Sequence, residues 1–261
     1  MNVLVLAPHP DDEAIGAGAL LHELPDVIVV HVTDGAPADN RVARRKGFAN
    51  RDEYAAARHR EVVEALSLVG IDESRIRSLG LVDGQASFHL VDLSHKLIDL
   101  LIEFDPEVVL THPYEGGHTD HDATAFAVHL ACGILRREGL DAPTVIEFTS
   151  YHNRNGRRVR GAFIPFPDVL ERAVDLLAED KALKVKMFAR FTSQRECLKQ
   201  FPISVERFRI APRYSFVVPP HEGQLDYERY CSSICGEEWR QRAESALELL
   251  RAKRRAYAAG A

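Results

Sequence analysis

Near its N-terminus the chain carries a stretch that joins an apolar run to a polar turn, Val3-Leu4-Val5-Leu6-Ala7-Pro8-His9-Pro10-Asp11-Asp12-Glu13. The first five residues are apolar without alternation, which is typical of a parallel strand covered on both faces. The turn then places one imidazole beside two adjacent Asp carboxylates. Because ligands of open α/β sheets bind beyond the carboxyl ends of the strands, this turn is the first candidate for a functional site.

Further apolar runs alternate with helical patterns along the chain. Strands are predicted at residues 3–7, 27–33, 76–79, 108–111 and 145–148, and helices at 14–24, 51–69, 90–104 and 122–137. This alternation indicates βαβ units. We therefore predict an α/β, Rossmann-like fold with a mostly parallel sheet flanked by helices.

The last third of the chain has a different pattern. From about residue 165 it is mainly helical, with helices predicted at 180–200 and 237–255 around a segment rich in proline and aromatic residues at 208–220. No flexible linker separates this part from the rest. The sequence therefore predicts a single domain over residues 1–261, with a core of about 1–164 and a C-terminal extension of about 165–261.

Composition excludes several classes of protein. The 261 residues are 46% hydrophobic and 28% charged, with a formal net charge of -6, so we expect no nucleic-acid partner. No run approaches the roughly 18 apolar residues of a membrane span, and the N-terminal run is too short for a secretory signal. Four cysteines do not make a disulfide framework, and Cys231 and Cys235 are interpreted as ordinary thiols. We expect a cytoplasmic protein, and self-association into a homo-oligomer stays open.

A second polar cluster follows the strand predicted at 108–111. It runs His112-Pro113-Tyr114-Glu115-Gly116-Gly117-His118-Thr119-Asp120-His121-Asp122. His118 and His121 are three residues apart, so at the start of a helix their side chains can face the same side. Two clusters that each combine His with Asp at a strand end are much harder to obtain by chance than one.

The residue types of the two clusters indicate a divalent metal. Burying this much negative charge without a counter-ion would be costly, and mixed nitrogen and oxygen ligands favour zinc over magnesium or calcium. A catalytic zinc site keeps three protein ligands and an open water position, and His9, Asp12 and His121 supply that number. We predict one Zn²⁺ per chain, with another divalent metal left open.

Both clusters resemble the signature motifs of a known family. His9-Pro10-Asp11-Asp12-Glu13 and His118-Thr119-Asp120-His121 are similar to the two motifs of the PIG-L or LmbE-like deacetylases. Arg58-x-x-Glu61 and the segment 181–194 resemble further helices of that family. The resemblance implies a zinc-dependent hydrolase that removes the acetyl group from an N-acetylglucosamine-type conjugate, a small-molecule glycoside.

The same resemblance implies a role for each residue of the motifs. His9, Asp12 and His121 would bind the metal, and Asp11 would be the general base. A protonated His118 would stabilise the reacting centre, and Asp120 would orient that histidine. Arg58 and Asp83 resemble sugar-contacting positions, and His112, at a strand end, is a further predicted substrate contact.

One position departs from the family pattern. Some amino-sugar deacetylases have a tyrosine two residues before the first histidine of the second motif, where this chain has Gly116. Tyr114 is the nearest phenol in the sequence, which leaves the source of such a group open. Elsewhere, His152 is predicted to lie on the surface.

Two other functions stay open from the sequence. One keeps the metal site but cleaves a different small amide or a thiol conjugate. The other is a catalytically silent α/β module that binds a sugar or a nucleotide. Asp11 argues against the silent module, because a binding site needs no spare carboxylate beside its metal.

Overall fold

The computed structural model describes residues 1–230 and 234–259, with side chains up to residue 250, so Cys231 lies outside the described part. Its strands are β1 Val3–Ala7, β2 Val27–Pro37, β3 Ile76–Asp83, β4 Val108–Thr111, β5 Thr144–Phe148, β6 Tyr151–Arg154, β7 Arg157–Arg160, β8 Glu171–Asp175 and β9 Val205–Ile210. Its helices are α1 Asp12–Gly16, α2 Asn40–Arg45, α3 Arg51–Ser67, α4 Leu90–Phe104, α5 Thr119–Arg137, α6 Ala178–Arg190, α7 Arg195–Leu198 and α8 Gly236–Ala259.

Seven strands form one sheet in the order β3-β2-β1-β4-β5-β9-β8. The first five pair in parallel, and β9 joins β5 antiparallel. Alternate β1 side chains enter two separate cores: Leu4 and Leu6 pack with α4, α5 and α8, whereas Val3 and Val5 pack with α1, α3 and α6. The predicted α/β fold, with a mostly parallel sheet between helices, is confirmed.

The helix predicted at residues 14–24 is wrong in extent. Helix α1 ends at Gly16, and only a 3₁₀ turn, Leu21–Glu23, follows. A Cβ on Gly16 would lie 1.9 Å from the Phe148 ring, so the chain approaches β5 where a larger residue would collide. The helix predicted at residues 122–137 is α5, which starts earlier, at Thr119, because His118 caps its N-terminus.

The extension adds two strands that the sequence did not predict. β8 and β9 pair with each other, and β9 extends the sheet beyond β5. The sequence of β9 lacks the apolar pattern of a buried strand because two of its buried residues are charged. Glu206 lies 2.7 Å from Lys184 Nζ, and the Nε of Arg209 lies 2.7 Å from Glu147. The helix predicted at 180–200 is also divided, into α6, a 3₁₀ turn at Thr192–Gln194, and α7.

Three of the four cysteines, Cys132, Cys197 and Cys235, lie in the described part and are free. Within residues 1–230 and 234–259, no helix combines the length and the apolar character needed to cross a bilayer.

Candidate metal centre

The two polar clusters meet at the centre of the sheet. β1 pairs with β2 on one side and with β4 on the other, so the strand order reverses between β1 and β4. A topological switch point of this kind opens a crevice at the carboxyl ends of the two strands. His9 follows β1 and His112 follows β4, which brings residues about a hundred positions apart in sequence into one site.

The turn after β1 holds a strained backbone. Asp11 has a φ of 150°, outside the regions that side chains ordinarily allow. Arg58 of α3 donates from Nη2 to the carbonyl of Pro10 at 2.6 Å, and the backbone N–H of His9 donates to Asp12 Oδ2 at 3.0 Å. Strain kept in place by such contacts is typical of functional positions.

The three predicted metal ligands lie together. Asp12 Oδ2 is 3.0 Å from His9 Nδ1 and 3.4 Å from His121 Nε2, and all three residues are buried. His121 stands on the first turn of α5, where its spacing from His118 turns both rings toward His9. Ligand atoms of His9, His118 and His121 also lie within 4.8 Å of one another.

His112 is fully buried behind the site, with its ring centroid 4.2 Å from that of His121 and 4.6 Å from that of Phe148. Its Nε2 lies 3.4 Å from Asp12 Oδ1, and Asp12, His112 and His121 form a further group that could hold an ion. The ring lies beneath the predicted metal ligands and does not line the cavity beside them, and its role as a substrate contact stays a prediction.

The carboxylate of Asp120 lies closer to His9 than to His118, the histidine that it is predicted to orient. The Asp120 carboxylate accepts from the backbone N–H groups of Gly84 and Ala86, at 2.6 and 3.0 Å, and lies 3.2 Å from His9 Nε2. The distance to His118 Nδ1 is 4.0 Å, too long for a hydrogen bond. The side chain of Asp120 thus orients His9, and it is the backbone N–H of Asp120 that donates to His118 Nδ1, at 3.2 Å.

That contact determines the state of His118. Because Nδ1 is an acceptor, the neutral ring carries its proton on Nε2, which lies 4.0 Å from Asp83 Oδ1. Burial lowers the pKa of His118 to about 4, and the nearby charge of His9 acts in the same direction. Both observations favour a neutral imidazole with an Nε2–H donor over the protonated ring that the sequence predicted, and the catalytic role of His118 stays a prediction.

Asp11 is the carboxylate that remains beside the ligands. Burial raises its pKa to about 7, although the Arg58 guanidinium, 3.2 Å from its Oδ2, opposes that shift. A carboxyl group with a pKa near neutrality can both accept and return a proton, as a general base requires.

A metal ion fits a buried site only where the surrounding groups stabilise a positive charge. The groups around His9 do so. Burial alone lowers the pKa of His9, but the carboxylates of Asp83, Asp12 and Asp120 outweigh this and hold the pKa well above its ordinary value. A buried place that holds a cation among carboxylates and imidazoles suits a divalent metal. The donors therefore fit a divalent metal ion.

A cavity of about 140 Å³ opens onto these groups. The predicted substrate contacts Arg58 and Asp83 both line it, together with residues that the sequence did not single out as site residues. These are Ile15, Tyr151, Gln194, Cys197 and Phe201.

Tyr151 brings a phenol into the cavity from the start of β6. Its ring centroid is 5.4 Å from that of His121. Gly117 allows this approach, since a Cβ there would lie 2.1 Å from the Tyr151 carbonyl oxygen. Tyr114, by contrast, packs in the core against Trp239 and donates its hydroxyl to the carbonyl of Val218 at 3.0 Å. Of these two phenols, Tyr151 is the one that lines the cavity.

The extension completes one wall of the cavity. Glu61 of α3 accepts from the hydroxyls of Thr192 and Ser193, both at 2.7 Å, and Gln194 donates to the Tyr54 hydroxyl at 2.5 Å. These bonds bind the turn before α7 to the helix that carries Arg58. No local sequence signal indicates that contact, because it joins residues more than 130 positions apart.

Behind the site lies a buried polar network. His152 is 1% exposed, with its Nδ1 3.3 Å from Glu115 Oε2, so its predicted surface position is wrong. Glu115 Oε1 also accepts from the backbone N–H of Ile164 and from Arg209. The loop that precedes His118 is thus anchored to the extension.

This geometry defines a Rossmann-like α/β protein with a buried His/Asp site suited to a metal ion. The chain belongs to the PIG-L family: the family model described as GlcNAc-PI de-N-acetylase matches residues 4–132, which include both motifs.

Two relatives are similar over more than half of the chain. The chain is 35% identical over 142 residues to the probable N-acetyl-alpha-D-glucosaminyl L-malate deacetylase 2 of Bacillus cereus. That match covers 52% of this chain and 63% of the relative, less than two thirds of its length. This chain is also 32% identical over 160 residues to the protein of the same name from Bacillus subtilis. That match covers 59% of this chain and 69% of the relative.

Solved structures extend the similarity to most of the fold. A deacetylase triple mutant from the teicoplanin biosynthetic pathway superposes with a TM-score of 0.63 at 22% identity. The superposition covers 82% of this chain and 99% of the other. The fold, including most of the extension, is therefore shared with that deacetylase.

Proposed function

We propose that this chain is a zinc-dependent N-deacetylase that removes the acetyl group from an N-acetylglucosamine-type conjugate. The observation that carries the proposal is the position of Asp11, a buried carboxyl with a pKa near 7 that lines the cavity directly beside His9, Asp12 and His121. The relatives' names point to the same reaction on amino-sugar conjugates.

His9, Asp12 and His121 would hold the ion, with Asp120 fixing the orientation of His9 from behind. When bound, zinc lowers the pKa of a water ligand and polarises an amide carbonyl. The remaining steps belong to the protein. Asp11 accepts a proton from the attacking water and returns it to the leaving amine, while Arg58 holds Asp11 in place.

Two donors would stabilise the oxyanion that forms when water adds to the amide. His118 would present its Nε2–H. Tyr151, at the start of β6, would contribute its hydroxyl. Both groups are neutral, because burial lowers the pKa of His118 and raises the pKa of Tyr151. Fixed donors of this kind typically contribute about 3 kcal/mol each to the transition state.

Acetate release tests the proposal. The purified protein is loaded with zinc and incubated with N-acetylglucosaminides and with unrelated N-acetyl amides, and acetate and bound metal are measured. Acetate from the glucosaminides, at about one zinc per chain, is the expected result. Turnover of unrelated amides alone would favour the amidase alternative, and binding of sugar without turnover would favour the silent module.

A further inference from the structure

A strongly basic hairpin stands beside the cavity. Residues 151–160 form the two antiparallel strands β6 and β7 and the turn between them, and they carry four arginines and no acidic residue. The chain as a whole has a net charge of -6. The charge of this hairpin is therefore opposite to that of the molecule that carries it.

Two of these arginines lie against the walls of the cavity. The register of the hairpin pairs Arg160 with Tyr151, and Arg158 is two residues before it, on the same face of β7. The Cζ of Arg158 is 4.7 Å from the ring centroid of Tyr151, and that of Arg160 is 5.9 Å from the ring centroid of Phe201. Both rings line the cavity. We call Arg158 and Arg160 the rim arginines.

The two rim arginines differ in how their charge is balanced. Arg158 donates from Nε to the buried Asp226 at 2.7 Å, and Arg229 lies 3.7 Å from the same carboxylate. Arg160 instead donates to the neutral amide oxygen of Gln200 at 2.7 Å. No carboxylate among residues 1–230 and 234–250 forms an ion pair with Arg160, so its half-buried charge is not compensated there.

The size of the cavity places part of a substrate on this rim. Sites for whole small ligands enclose about 300–1,000 Å³, whereas this cavity has about 140 Å³. A cavity of this size would hold only part of a conjugate, so the aglycone of the proposed substrate would lie at its rim. Inside the cavity the Arg58 guanidinium is paired with Asp11 at 3.2 Å, whereas Arg160 beside the cavity has no carboxylate partner among the described side chains. A negative group on the substrate would therefore be attracted to Arg160.

We propose that Arg160 is a specificity-determining residue that binds a carboxylate or phosphate on the aglycone of the substrate. This inference rests on the proposed function and adds the chemical class of the aglycone to it. A guanidinium matches the geometry of either oxyanion and can donate two parallel hydrogen bonds to it.

Two matched substrate pairs test the inference and separate the two anions. The first pair is N-acetylglucosaminyl malate and its dimethyl ester. The second is N-acetylglucosaminyl inositol phosphate and N-acetylglucosaminyl inositol. For the zinc-loaded protein we expect kcat/KM to be at least about tenfold higher for the anionic member of one pair or both. The pair with the larger ratio identifies the oxyanion.

Variants assign the preference to one residue. Arg160→Gln should remove the preference by raising KM for the anionic member, leaving kcat and the neutral member unchanged. Arg157→Gln removes the same charge from the exposed end of the hairpin and should keep the preference. Thermal unfolding and zinc content of both variants identify any loss of fold.

The two proposals fail in different ways. No acetate from any of the four glycosides overturns the proposed function and this inference with it. Equal kcat/KM within both pairs, or a preference that survives Arg160→Gln, overturns this inference alone. An equal loss of preference in Arg157→Gln would also overturn it, because the effect would then be one of overall charge.

Discussion

The carboxylate of Asp120 lies 3.2 Å from Nε2 of His9, on the side of the imidazole away from Asp12, whose Oδ2 lies 3.0 Å from Nδ1. A histidine held between two carboxylates in this way can bind a metal through one nitrogen while the other donates to the carboxylate behind it. Asp120, the neighbour of His121 in the second motif, thus orients His9, a predicted ligand from the first motif.

Asp120→Asn should therefore weaken zinc binding by about 10- to 100-fold, because His9 loses the carboxylate that orients it. Competition with a chelator of known affinity measures the effect, and Asp99→Asn, on the exposed face of α4, is the charge-matched control. Unchanged zinc affinity with reduced turnover would instead return Asp120 to the role of a partner for His118.

Replacing the two adjacent histidines separately tests the ligand set. His121→Ala should reduce bound zinc from about one per chain to a small fraction, since it removes one of three ligands. His112→Gln should keep the stoichiometry and only lower the affinity. Elemental analysis after dialysis distinguishes them, and metal loss in His112→Gln alone would make His112 the ligand in place of His121.

Asp11→Asn should keep its zinc and lose at least about 10²-fold in kcat, because an amide cannot accept the proton of the attacking water. Its neighbour gives the contrast: Asp12→Asn should lose zinc as well as activity. Near-normal turnover by zinc-loaded Asp11→Asn would remove Asp11 from the reaction.

Tyr151→Phe should lower kcat by about 10²-fold and change KM little, because the ring stays beside His121 while the hydroxyl is lost. Tyr114→Phe is the matched control. It removes a hydroxyl bound to the Val218 carbonyl in the core, so it should cost about 1 kcal/mol of stability without changing kcat. Equal kcat for wild type and Tyr151→Phe would contradict the role of the phenol.

The pKa of His118 predicts how the stability of the metal-free protein depends on pH. The pKa is about 4 in the folded protein and about 6.5 in the unfolded chain, so between these values the unfolded chain binds the additional proton. The contribution of His118 to stability should therefore fall as the pH is lowered from about 6.5 to 4.

His118→Gln should remove this contribution. The difference in melting temperature between the variant and the wild type, each measured without metal across that pH range, isolates it from the opposite contribution of Asp11. A difference that does not change with pH would show that His118 is not held neutral.

The sequence by itself determined the parallel core of the fold and which residues make up the candidate metal site. The apolar runs before His9 and His112 are short, continuous and local, which is typical of buried parallel strands. Their carboxyl ends were therefore expected to bring the two polar clusters to one edge of the sheet. The three expected ligands do lie together there. Its predictions of one domain, a cytoplasmic location and open self-association stay predictions.

Tertiary structure decided which partner each polar side chain faces. Asp120 is two residues from His118, yet its carboxylate faces His9 because α5 begins at Thr119 and turns the side chain toward β1 and β3. His112 lies beneath the site because its ring packs on Phe148 of β5. Tyr151 lines the cavity, and Arg160 lies against the Phe201 ring of its wall, because β6 and β7 pair beside it. Such contacts depend on how separate elements pack, and no local pattern of residues specifies them.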